Sequence, residues 1–238
     1  MNIAIIFAGG TGSRMGPTSV PKQFLTVHGK PIIIHVIEKF SLHPDIDEII
    51  ISCKSDYIEL LKNLLLKFSI RKNILIVPGG KTGQESIFAA ISVAHDKYPE
   101  NSIVLVNDGV RPFISYNLIS EHIKTTKKFG NAISVCPVTE TLCTVRGGVL
   151  EKVLNRSLCF TAKAPQTFIL KDLYEAHLWA LNKGVNGITD SATLMHMRGV
   201  ELRAIKSDST NIKVTTPVDF YMMRALLSME EDSQLSKL

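Results

Sequence analysis

The chain has 238 residues, 45% of them apolar, with a formal net charge of +5 at pH 7. That length and composition suit one globular domain with a substantial core and exclude a disordered chain. No run of about twenty apolar residues is present to span a bilayer, and the opening residues run straight into a glycine turn without a basic leader, so a cytoplasmic location is expected.

In chain order, short β-branched runs alternate with amphipathic stretches. Ile3–Phe7, Glu48–Ile51, Ile74–Val77, Ile103–Val106 and Ala132–Val135 read as strands. They are almost continuously apolar, as strands covered on both faces are. Ile32–Lys39, Asp56–Phe68, Gln84–Asp96 and Tyr116–Phe129 read as the helices between them; Ile58, Leu61, Leu65 and Phe68 recur at helical spacing. The alternation predicts an α/β fold with a doubly wound, mostly parallel sheet. Ligands of such sheets bind beyond the carboxyl ends of the strands.

From Val138 to Phe160 the rhythm breaks. Thr141–Val145, a Gly147-Gly148 turn and Val149–Val153 predict a projecting β-hairpin arm at about 138–160, either packed on a second subunit or lying as a local edge hairpin. Leu170–Asn182 then reads as a helix, Thr189–Ala192 as the start of another and Val200–Ile205 as a strand. Thr216 and Pro217 read as N-cap and first residue of a terminal helix. No repeat or linker interrupts residues 1–238, so a single domain is expected. The four cysteines show no CxxC spacing and the seven histidines no metal-ligand spacing.

The excess positive charge suits an anionic partner, either a nucleic acid or a nucleotide phosphate. Arg14, Lys22 and Lys30 gather near the N-terminal glycine loop and no arginine-rich arm exists, which favours a small phosphate ligand over nucleic acid. That loop, Ala8-Gly9-Gly10-Thr11-Gly12-Ser13-Arg14-Met15, directly follows the first strand. Glycines there let backbone N–H groups approach a phosphate. The third glycine of a dinucleotide-binding turn is missing, Pro17 and Pro21 forbid a prompt helix, and no Walker Gly-Lys-Ser/Thr follows. Arg14 can fork onto phosphate oxygens and Lys22, in Pro21-Lys22-Gln23, can add a point charge.

This loop resembles that of the cytidylyltransferases acting on polyol phosphates. Pro78-Gly79-Gly80 with Ser86 resembles the family's base-and-ribose loop, Asp108 to Pro112 its Asp-x-x-Arg-Pro, and Ala164 to Phe168 its Thr-Pro-Gln-x-Phe. Thr189-Asp190-Ser191-Ala192 resembles its Thr-Asp-x-Ala, and Asn211 to Thr215 its Asn-Ile-Lys-x-Thr. The matches keep the family's order from residue 3 to about 225.

The resemblance implies roles residue by residue. Arg14, Lys22, Arg156 and Lys213 would be catalytic. Ala8, Gly9, Gly10, Thr11, Gly12, Gly79, Gly80, Ser86 and Asp108 would bind the nucleotide. Thr141, Arg156 and Lys213 would bind the acceptor, and Asp108 and Asp208 would hold magnesium. It further implies CTP as substrate, small molecules as the only partners besides a second copy, and a homodimer in which the arm carries Thr141 and Arg156 to the neighbour's site. Its expected reaction is transfer of CMP to D-ribitol 5-phosphate or, alternatively, 2-C-methyl-D-erythritol 4-phosphate. Taken alone, Arg111 reads equally as a structural ion-pair partner, Asp190 as a helix N-cap and Lys213 as an exposed lysine. Gly83 stands where the family has arginine and Asn107 where it has histidine. A non-catalytic nucleotide-binding protein and a dinucleotide-dependent oxidoreductase are the alternatives from other classes.

Overall fold

The structure is a computed structural model and describes residues 1–9 and 20–235. Seven strands form one sheet: β1 (Asn2–Ala8), β4 (Glu48–Cys53), β5 (Ile74–Pro78), β6 (Ile103–Asp108), β7 (Asn131–Pro137), β10 (Phe160–Ile169) and β11 (Ala204–Lys206), in the order β11-β7-β10-β6-β1-β4-β5. Two short strands, β2 (Thr26–Val27) and β3 (Lys30–Pro31), and the arm strands β8 (Cys143–Arg146) and β9 (Val149–Val153) pair off separately. The helices are α1 (Ile32–Ser41), α2 (Ile58–Lys67), α3 (Gly83–Lys97), α4 (Tyr116–Phe129), α5 (Leu170–Asn182), α6 (Ser191–Met197) and α7 (Pro217–Leu235).

Strand β1 shows why the apolar runs form a doubly covered sheet. Ala4, Ile6 and Ala8 enter a core with residues of α1, α2 and α4, while Ile3 and Ile5 enter the opposite core with residues of α3, α5 and α6. Alternate side chains leave opposite faces, so a strand between two helical layers must be apolar throughout. The parallel β1–β4 and β1–β6 pairings place β6 on one side of β1 and β4 with β5 on the other. The chain order therefore reverses at β1, and the crevice at that switch point lies beyond Ala8 and Asp108.

Helix ends are fixed locally. Ser115 Oγ accepts the Leu118 N–H at 3.2 Å to start α4, and Gly130, with φ at +83°, ends it in the left-handed conformation. Thr216 and Asp219 cap α7 reciprocally, as its sequence predicts: Thr216 Oγ1 accepts from the Asp219 N–H at 3.3 Å and Asp219 accepts the Thr216 N–H at 2.8 Å.

Three elements differ from the sequence reading. Strand β10 has no apolar run to announce it, yet it lies antiparallel between β6 and β7. Its register against β7 shifts between Ala162 and Gln166, where Pro165 has no N–H to give the ladder. The expected strand Val200–Ile205 shortens to Ala204–Lys206 at the sheet edge. The Asn131 side chain instead takes the Arg203 N–H at 2.8 Å and donates to the Glu201 carbonyl at 3.0 Å, standing in for ladder bonds. The first arm strand begins at Cys143 and not at Thr141, although the Leu154 N–H to Leu142 carbonyl bond of 2.8 Å prolongs the pairing.

Candidate active site

Two loops meet at Ser86. Gly9 follows β1, Gly79 and Gly80 follow β5, and Ser86 lies fully buried in the first turns of α3. Ser86 Oγ donates to the Thr82 carbonyl at 2.9 Å and accepts the Gly80 N–H at 3.1 Å. A Cβ on Gly9 would lie 2.4 Å from Ser86 Oγ, and one on Gly80 would lie 2.2 Å from Glu85 Cβ. Only glycine allows this approach of loop to helix. Thr82 caps α3 by accepting the Glu85 N–H at 3.1 Å, and Glu85 accepts the Lys81 N–H at 2.9 Å. The Gly79–Gly80 loop is thus tied to the helix start on both sides. Beside it, Gln23 donates to the Ala8 carbonyl at 2.6 Å, next to the buried Lys22. Gly10, Thr11, Gly12 and Arg14 lie outside the described residues.

At the end of β6, Asp108 is held between two cations. Its carboxylate lies 2.5 Å from Lys213 Nζ and 3.4 Å from Arg111 Nε, with Asp108 and Arg111 both buried. Arg111 also donates to the Asn211 carbonyl at 2.6 Å. Asn211 in turn donates to the Ala164 carbonyl and to Ser207 Oγ, each at 2.9 Å, and the Val214 N–H donates to the Val110 carbonyl at 2.9 Å. The segment bearing Lys213 is therefore laced to the turn bearing Asp108. The ion-pair reading of Arg111 and the N-cap reading of Asp190 both hold. Asp190 accepts the Thr193 N–H at 2.8 Å to start α6, and its other oxygen accepts from Gln166 Nε2 at 3.0 Å. Lys213, in no regular element, is half-buried and lies 5.8 Å from the Phe7 ring centroid.

These groups line one cavity of about 320 Å³ that includes Asp108, Arg111, Lys163, Gln166, Asp190 and Lys213. Lys163 is the residue that the sequence reading missed. The irregularity of β10 places it at the cavity, where its Nζ donates to the Asp208 and Ser209 carbonyls at 3.2 Å each. Burial holds its ammonium below the ordinary lysine range, and the Arg111 charge adds to that. The available signal was its place beside Ala164-Pro165-Gln166. A guanidinium and two ammonium groups lining one cavity with Asp108 and Asp190 suit polyanionic phosphates.

Other expected residues lie apart. Asp208 lines a different cavity with Phe113 and Met229 and takes no place in the first. Thr141 is exposed, and Arg156, also exposed, donates to the Thr139 carbonyl at 2.9 Å at the base of the arm. No group of three or more His, Cys, Asp or Glu side chains among the described residues gathers for a metal. One carboxylate at a strand end is still an acceptable magnesium ligand, because that ion commonly takes its remaining oxygens from substrate phosphates and water.

Residues 2–229 match the family described as 2-C-methyl-D-erythritol 4-phosphate cytidylyltransferase. The chain belongs to this family. A ribitol-5-phosphate cytidylyltransferase of Vibrio parahaemolyticus is 42% identical over 236 residues, covering 99% of each chain. A 2-C-methyl-D-erythritol 4-phosphate cytidylyltransferase of Thermosipho melanesiensis is 35% identical over 94% of this chain and 96% of its own. The solved structure of 4-diphosphocytidyl-2C-methyl-D-erythritol synthase from Anaerococcus prevotii superposes with a TM-score of 0.82 at 26% identity, covering 95% of this chain and 96% of that one. The cytidylyltransferase is therefore a nucleotidyltransferase enzyme with the α/β fold of its structural neighbours, and the oxidoreductase reading falls away.

Proposed function

We propose that this cytidylyltransferase transfers CMP from CTP to D-ribitol 5-phosphate, giving CDP-ribitol and pyrophosphate. The observation that carries the reading is the Asp108–Arg111–Lys213 cluster, set at the switch point beside the Gly9, Gly79, Gly80 and Ser86 contact. The ribitol relative, at 42% identity against 35% for the isoprenoid-type one, favours ribitol 5-phosphate over 2-C-methyl-D-erythritol 4-phosphate.

An oxygen of the acceptor phosphate attacks the α-phosphorus of CTP. The new P–O bond forms as the bond to the bridging α–β oxygen breaks, and pyrophosphate leaves. The nucleophile is already ionised at neutral pH, so the protein has to position reactants and neutralise charge more than move protons. Lys22 and Arg14 hold the triphosphate and the departing pyrophosphate; Lys213, steered by Asp108, binds phosphate at the cavity. Magnesium, with Asp108 as its protein ligand, supplies charge neutralisation between phosphate groups when bound.

In this reading the chain is one domain of residues 1–238, its cytidylyltransferase fold bearing the arm at about 138–160. It acts as a cytoplasmic homodimer on small molecules, without nucleic acid or membrane partners. The arm supports the dimer: Val145, Val149, Leu150 and Val153 are all exposed on it. Paired across a two-fold axis, the arms carry Thr141 and Arg156 to the neighbour's acceptor phosphate. Among the described residues, no helix is long and apolar enough to cross a membrane.

Pyrophosphate release measured with CTP, magnesium and each acceptor tests the proposal. Faster turnover of ribitol 5-phosphate is expected. Preference for the erythritol phosphate would overturn the acceptor, and release with neither would overturn the transfer.

A further inference from the structure

Three cations line the catalytic cavity, and they are not partnered alike. Arg111 and Lys213 share the Asp108 carboxylate. Lys163 forms no ion pair among the described residues, and residues 10–19 contain no Asp or Glu. Its Nζ donates only to two neutral groups, the Asp208 and Ser209 carbonyls, each at 3.2 Å. That distance is the long end of the N–H···O range. An ammonium has three N–H donors, so one is left over. The acids nearby are committed elsewhere. Asp190 accepts from the Thr193 N–H and from Gln166 Nε2, and Asp208 lines a different cavity. Arg111, the nearer charge of note, is another cation and repels the ammonium. The fold thus sets a positive charge on the cavity wall without a counter-charge.

The strand order says which substrate that charge faces. Strand β10, which carries Lys163, neighbours β6 on one side, while β1, β4 and β5 lie on the other. Gly9 follows β1, and Gly79 and Gly80 follow β5. Lys163 therefore stands across the end of β6 from the glycine loops. In the cavity lining, Gly83 and Ile87 of α3 mark the loop side, and Lys163 with Ala162 and Ala164 the opposite one. A nucleotide on the loops leaves this opposite wall to the acceptor. A polyol phosphate is neutral along its hydroxyl chain and carries its charge on one group. Only its phosphate offers Lys163 a counter-charge.

We propose that Lys163 is an acceptor-binding residue, whose ammonium grips the phosphate of the polyol phosphate from the β10 side while Lys213 holds it from the other. The assignment rests on the cytidylyl-transfer reading of this cavity. Its use is electrostatic. The attacking phosphate is an anion that must approach a polyanionic triphosphate, and a second cation behind it offsets that repulsion. The carbonyls of Asp208 and Ser209 keep the side chain extended along the wall until the phosphate arrives.

Calorimetry on the full chain tests this. The protein is loaded with magnesium and an α,β-methylene analogue of CTP, which cannot release pyrophosphate, and titrated with ribitol 5-phosphate and, separately, 2-C-methyl-D-erythritol 4-phosphate. Lys163→Met keeps the apolar stem and removes the charge. It should bind the acceptor on the order of 10–100-fold more weakly than wild type. Affinity for the CTP analogue and the melting temperature should hold, because Asp208 and Ser209 are exposed and water can replace the lost donor. Lys163→Arg, which keeps the charge, should recover part of the loss. Lys163→Gln is the second uncharged variant, with the same expected loss, should Lys163→Met fold poorly. Acceptor affinity equal in wild type and the uncharged variants would overturn the assignment and leave the proposed function standing. A matching loss of affinity for the CTP analogue would overturn it too, by showing that Lys163 holds the triphosphate or merely braces the turn before Lys213. Wild-type protein that binds neither acceptor would sink the proposed function, and this assignment with it.

Discussion

The turn at the end of β6 and the arm formed by β8 and β9 are built on opposite principles. In the first, charged and amide groups are laced together: Asp108 to Lys213 and Arg111, Arg111 to the Asn211 carbonyl, the Asn211 amide nitrogen to Ala164 and Ser207. Such a network holds side chains in fixed geometry, and removing one member leaves others stranded. The arm has two strands, an Arg146–Glu151 ion pair at 2.9 Å and an exposed face on both strands. A lone two-stranded hairpin is marginal in water. The contrast separates a part organised in advance for charge from a part whose two strands lie exposed along their whole length.

Replacing Asp108 attacks the ordered half most severely. Asp108→Asn keeps the shape but removes the charge that steers Lys213, and turnover should fall on the order of 10²–10³-fold; steady-state rates at saturating CTP measure it. Near-normal turnover would mean that the cluster is only structural. Gly80→Ala comes next. Its methyl would collide with Glu85 Cβ, and strain of this kind costs about 1–3 kcal/mol. CTP affinity by calorimetry should fall by a corresponding factor with the remainder of the fold intact.

Acid reaches the core behind this site. His122 lies fully buried, with Thr167 Oγ1 and Ser134 Oγ each 2.8 Å from its ring nitrogens, and burial pushes its pKa down to about 3. The folded state thus keeps it neutral while the unfolded chain protonates it near 6.5. Stability from this residue is complete above about 6.5 and is lost as pH falls from there towards 3, costing about 2 kcal/mol by pH 5. Urea midpoints measured from pH 7 to pH 5 should fall, and His122→Gln should flatten the slope. The smallest effect belongs to the arm. Val149→Ser should change the stability of a monomer by less than about 0.5 kcal/mol, yet shift sedimentation towards monomer. An unchanged oligomeric state would remove the arm from the interface.

The same division governs what could be read from sequence. Strands β1, β4, β5, β6 and β7 were legible because burial on both faces leaves a continuous apolar run. Strand β10 was not, because Lys163, Pro165 and Gln166 break any strand-like run there. Tertiary partners hold the strand in place: Gln166 Oε1 accepts the Ala192 N–H at 2.8 Å, and Thr167 meets His122. In the site, the glycines and Ser86 were legible from their motif, and their contact gives the motif a steric reason. Lys163 was hidden because only the irregularity in β10 brings it to the cavity. The expected pairing of Asp208 with Asp108 came from resemblance, and the fold lines a different cavity with Asp208.

A crystal of the protein soaked with CTP and magnesium tests the central claim most directly. The account predicts the cytosine and ribose against Gly79, Gly80 and Ser86, with the phosphates running past Gly9 towards Lys22 and the Asp108–Lys213 pair. A nucleotide lodged anywhere else, with that crevice empty, would contradict it.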